Sequence, residues 1–175
     1  MKNLPILLLL AILLFSCGED KDCCVLPMDE VTYSFAEMPA NGCSNFYVYK
    51  QDDDTFLHLY VTGSRKDLNL DLTEQTVSAT DKRLTVAMHE FDGPIGSYAC
   101  DDAVGDEGTV KSTWRAIDGE VLLQIVEDSI DVQPWETTYR LNIKLQNVQL
   151  ESETGESGTL EDTEFIEVLV GWLPG

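Results

Sequence analysis

CDDAVGDEG, residues 100–108, holds the side chains whose type and spacing come nearest to a metal site: Asp101, Asp102, Asp106 and Glu107. Calcium needs six to eight oxygens converging on one point, and Gly105 and Gly108 would let this backbone curl toward a cation. The spacing does not fit an EF-hand loop, and the ordinary alternative is a solvated acidic turn. The same holds for Asp52-Asp53-Asp54 and for Glu127-Asp128 with Asp131.

Trp114, Trp135 and Trp172, with Tyr47, Tyr49, Tyr60 and Tyr139, are types that stack on sugar rings, and equally types that fill a β-sheet core. Trp135 stands apart because QPWE reads as a loop, which makes it the candidate for a ligand or partner contact. His58 and His89 are isolated in sequence and read as packed or surface residues rather than catalytic bases. Neither a Gly-x-Ser-x-Gly elbow nor a His-Glu-x-x-His helix occurs. With 32 acidic residues, a pair of carboxylates at any chosen separation arises by chance and carries no information about glycoside hydrolysis. No residue is assigned a catalytic role.

The frame that must carry these groups begins with a leader. Lys2 is followed by an almost purely apolar run from Leu4 to Phe15, shorter than the roughly 18 residues of a membrane-spanning helix. Its length and flanks fit the apolar region of a secretory signal peptide. The run ends Leu14-Phe15-Ser16-Cys17, which resembles the lipobox of bacterial lipoproteins. That resemblance implies a diacylglycerol on the Cys17 sulfur, cleavage after residue 16, and further acylation of the new amine. Phe15 departs from the small residue usual at its place, as lipoproteins of the Bacteroidetes kind often do. Each buried methylene contributes about 0.8 kcal/mol, so two or three acyl chains anchor stably where one does not. Gly18 after the cysteine favours the outer membrane, and Glu19, Asp20 and Asp22 look like the acidic tract that sends some such lipoproteins to the cell surface. Both the periplasmic face and the cell surface stay open.

With Cys17 lipidated, Cys23, Cys24, Cys43 and Cys100 form an even set, which in an oxidising compartment reads as disulfides. Four cysteines allow three connectivities. Cys43 with Cys100 is the preferred pair, leaving Cys23 and Cys24 as a vicinal bridge or as neighbouring thiols. The latter lack the Cys-x-x-Cys spacing of redox sites, and no paired motif of the zinc-binding kind is present.

Composition narrows the partners. The formal charge is −21, and −22 once Lys2 leaves with the leader. Such a surface repels nucleic acid and anionic headgroups at long range. Apolar and aromatic residues are plentiful and come in short runs, unlike a disordered chain.

After a polar tether over residues 17–30, residues 31–175 read as one all-β domain. Strands are expected at 31–35, 45–50, 55–62, 68–72, 83–91, 109–117, 120–127, 137–150 and 164–172, from alternation and intervening turn residues. QDDD suits a hairpin, Asp118-Gly119 reads as a tight turn, and residues 73–82 fit a short helical turn. Near Gln146-Asn147 the apolar phase switches, the mark of a bulge. The expected architecture is a single antiparallel β-sandwich, with a barrel as the alternative.

NGCSNFYVYK, GSYACDD, TWRAIDGEV and VGWLPG make the body similar to small β-sandwich lipoproteins of Bacteroidetes and myxobacteria. The likeness implies a fold and no activity. The function expected is therefore a non-catalytic binding or structural module held at the envelope, with no cofactor beyond calcium. The alternatives are a carbohydrate-binding or calcium-dependent module of a glycan-uptake system, whose partner would be a glycan or an envelope protein, and a small envelope hydrolase.

Overall fold

In a computed structural model the described residues are 31–96, 100, 108–133 and 136–171. The leader, the tether, Cys17, Cys23, Cys24, Asp101, Asp102, Asp106, Glu107, Trp135 and Trp172 lie outside them.

Ten strands and one helical turn follow in order: β1 (Val31–Tyr33), β2 (Ala40–Cys43), β3 (Tyr47–Asp52), β4 (Leu57–Gly63), α1 (Arg65–Leu68), β5 (Gln75–Ser78), β6 (Leu84–Phe91), β7 (Val110–Gln133), β8 (Glu136–Ser152), β9 (Ser157–Leu160) and β10 (Thr163–Val170). The all-β expectation is met. All ten strands belong to one hydrogen-bonded sheet in the order β1-β9-β8-β7-β6-β4-β3-β2, with β10 on β8 and β5 on β7. Pairing is antiparallel except between β1 and β9. The sheet curls until β10 lies against β2, giving an open half-barrel with two facing layers.

Alternation decides which face each side chain takes. Val48, Leu59, Val61, Val86 and Met88 from β3, β4 and β6 meet Val121, Leu123, Ile125, Leu141, Ile143, Leu145, Phe165, Val168 and Val170 in the inner core. Burying each such side chain contributes about 1.5–3 kcal/mol, so this layer is the main source of cohesion. Closure is tight at Gly42, where an added Cβ would lie 2.6 Å from Val168 Cγ1 and 2.8 Å from the Leu169 carbonyl. No larger residue lets β10 pass β2 this closely.

Three sequence expectations are corrected. Asp118-Gly119 is no hairpin: β7 runs unbroken through it and shifts register against β8 between Ala116 and Glu120. Gly119 sits at φ 117° and would place a Cβ 2.7 Å from Val148 Cα, so the glycine is required by close packing of two long strands rather than by a reversal. Opposite it, Asn147 at φ 52° marks the expected phase switch in β8. The other two corrections are a trade: residues 68–72 form no strand and the helical turn lies earlier. Ser64 caps α1 by accepting a bond from the Asp67 amide, and Asn69 ends it in the left-handed region; the strand is β5, within the stretch 73–82. Short β2 and β9 carry no strand signal in the sequence, because ANGC and SGTL offer almost no apolar alternation.

Candidate functional site: a tyrosine–histidine face beside the Cys43–Cys100 bond

Inward placement of Val48, Leu59, Val86 and Met88 turns the intervening residues of β3, β4 and β6 to the outer face. Register then assembles them. Gln51 pairs with His58 and Tyr49 with Tyr60 across β3 and β4. His58 pairs with His89, and Tyr60 with Ala87, across β4 and β6. Two histidines 31 positions apart in sequence thus become direct cross-strand neighbours, which corrects their reading as isolated.

Rings tile this face. Tyr49 stacks on His58 at 4.9 Å and Tyr47 on Tyr60 at 5.4 Å, while Tyr60 meets His89 edge-on at 5.0 Å. The Tyr47 hydroxyl and His58 Nε2 lie 2.9 Å apart, and the Tyr60 hydroxyl and His89 Nε2 3.4 Å apart. Aromatic contacts of this kind contribute about 0.5–1.5 kcal/mol beyond burial.

Described residues on either side of residues 97–107 bond to one another and to this side of the sheet. Asp92 accepts bonds from the Thr109 amide and hydroxyl, and Gly108 donates to the Pro94 carbonyl, closing the base of the excursion. Gln51 Nε2 donates to the Gly96 carbonyl at 3.2 Å. Cys100 is bonded to Cys43 with a Cα separation of 6.0 Å, the pairing preferred on sequence. Cys43, Ala87, Phe91 and Ile95 are all buried yet stand apart from the inner core.

Burial sets the electrostatics. His58 is fully buried, and loss of hydration, with a smaller push from His89, lowers its pKa to about 4. His89 is lowered by burial and then by Arg115, against an opposing pull from Glu153. Tyr49 is raised by burial. These rings are neutral at ordinary pH and act as packed hydrogen-bonding groups. The His58 side chain has no exposed surface in this arrangement.

The other aromatic candidates are placed elsewhere. Trp114 belongs to the inner core, edge-on to Tyr33 at 5.4 Å. Tyr139 is buried, donates to the Asn45 carbonyl at 2.6 Å, and lies beneath Arg65, which grips Asp128 through two 2.8 Å bonds. Burial raises the Tyr139 phenol to about 12. Of the three tryptophans only Trp114 is among the described residues, and it fills the core, on the side of the sheet opposite the tyrosine face. Asp52 serves its own turn, accepting from the Asp54 and Thr55 amides and the Thr55 hydroxyl. Among the described residues, no three His, Cys, Asp or Glu side chains converge as metal ligands would.

Sequence reasoning missed Lys50. It shares the inner face with Val48, a placement that the alternation in NFYVYK makes legible, because Tyr47 and Tyr49 take the opposite face.

No family model matches the chain, and neither characterised proteins nor solved structures return a match.

Proposed function

We propose that this protein is a lipid-anchored envelope lipoprotein whose half-barrel serves as a non-catalytic binding or structural module. The observation that carries the reading is the Cys43–Cys100 bond. Disulfides persist in oxidising compartments, and the leader ending at Cys17 supplies a route to one. The bond also ties Cys100 to the end of β2, which favours a fixed scaffold over a mobile reaction centre. Full burial of His58 argues in the same direction.

Cell fractionation with protease treatment tests this. The protein is expected in the membrane fraction, and a protease added to intact or outer-membrane-permeabilised cells should degrade it. Degradation in intact cells selects the cell surface, and protection until permeabilisation selects the periplasmic face. Recovery from the cytosol, resistant under both conditions, would overturn the proposal.

A further inference from the structure

Lys50 is the one buried ammonium or guanidinium among the described residues, with 4 % of its surface exposed. Buried lysines are almost always paired with a carboxylate, and this one has none within ion-pairing distance among the described residues. Its Nζ donates to the Phe35 carbonyl at 3.0 Å and the Ala36 carbonyl at 3.3 Å, and lies 5.7 Å from the Phe165 ring centroid. An ammonium has three N–H donors, so one is left over.

A cavity of about 410 Å³ opens at this point, inside the range of about 300–1,000 Å³ usual for small-molecule sites. Ala36, Met38 and Ile166 supply apolar wall, and Asp162 and Glu164 stand at its exposed margin. Asp162 Oδ1 accepts the Asn147 amide and Glu164 Oε1 meets Lys144, which leaves each carboxylate with lone pairs to spare. Lys50 is thus the buried lining residue and Asp162 and Glu164 are exposed ones, and Glu164 and Glu37 both act electrostatically on the Lys50 ammonium. A simple anion would be repelled at the entrance, and a simple cation would meet Lys50.

We infer that this cavity binds a zwitterionic amino acid with an apolar side chain, its carboxylate on Lys50 and its ammonium toward Asp162 and Glu164. The inference names a ligand class for the binding module proposed above and rests on that reading.

The test is calorimetric titration of the full-length protein in detergent with three probes: L-leucine, 4-methylpentanoate, which lacks the amine, and 3-methylbutylamine, which lacks the carboxylate. Leucine is expected to bind, with each analogue at least about tenfold weaker, because each forfeits one charge-assisted hydrogen bond. Lys50→Met should abolish leucine binding. Asp162 is exposed, so Asp162→Asn serves as the variant that keeps the fold, and it should weaken leucine severalfold.

Three results would overturn the inference. One is no heat with any probe while the protein melts cooperatively, which would leave Lys50 as a tie to the Phe35–Ala36 turn. Another is 4-methylpentanoate binding as well as leucine. The third is leucine binding unchanged by both substitutions. None of these bears on acylation or export, which are read by separate assays.

Discussion

His58 and His89 stand directly opposite one another in the β4–β6 ladder, the first fully buried and the second partly so. Neither can take a proton without charging a ring packed against tyrosines and against the other imidazole. The unfolded chain protonates near 6.5, whereas folded His58 holds out to about 4. Because the folded pKa is the lower one, stability from His58 is complete above about 6.5 and is lost as pH falls toward 4. The shift corresponds to about 3 kcal/mol. Asp81 and Asp92 are also depressed, by hydrogen bonds from Arg83 and Thr109 respectively, but the stability they contribute is fully present above 3.8 and is lost only below it. Melting temperatures between pH 7.5 and 4.5 should therefore fall in the wild type and fall much less in His58→Phe. A wild-type profile flat across that range would show that the pair is not held neutral by burial.

The Cys43–Cys100 bond spans 57 positions. On the chain-entropy model a loop of that length is stabilised by about 4 kcal/mol, and measured values commonly run from 2 to 4. Replacing both cysteines with serine should lower the unfolding free energy by about 2–4 kcal/mol in a denaturant titration. Peptide mapping without reductant should recover a Cys43–Cys100 crosslink. Cys43 joined to Cys23 or Cys24 would contradict the Cys43–Cys100 pairing.

Gly119 tests the crossing of β7 and β8. Alanine there meets both a positive φ and the Val148 backbone, and should cost about 2–4 kcal/mol. Gly155, at φ 84° with open space around it, is the control, and alanine there should cost only about 1 kcal/mol. Equal effects at the two positions would mean that β7 does reverse at Asp118-Gly119.

Much of the half-barrel is legible wherever apolar residues alternate strictly. β4, β6 and β8 each carry three or more inward residues at a period of two, and their positions follow directly. The failures occur where local chemistry has two meanings. Asp-Gly serves a tight turn and a kinked strand equally well, and only Val148, far along the chain, decides between them. LNLDL alternates like a strand, but Ser64 captures the preceding residues as a helical turn and takes the segment out of register. The tyrosine–histidine face was half visible. The β4 alternation groups His58 with Tyr60, but no local pattern brings in His89, because its place depends on which strand pairs with β4 and in what register. Lys50 is legible in the alternation of β3, but a lysine closing an aromatic strand looks like an ordinary edge charge until β10 is found across from it.

Attachment to the membrane through an acylated Cys17 is the central claim of the proposed function. Metabolic labelling with an alkyne-bearing palmitate, followed by capture of the protein and mass analysis of its N-terminus, addresses this directly. The predicted result is a labelled protein whose mature chain begins at an acylated Cys17, and an unlabelled protein when Cys17 is replaced by alanine. A wild-type chain that carries no acyl group and retains residues 1–16 would contradict it.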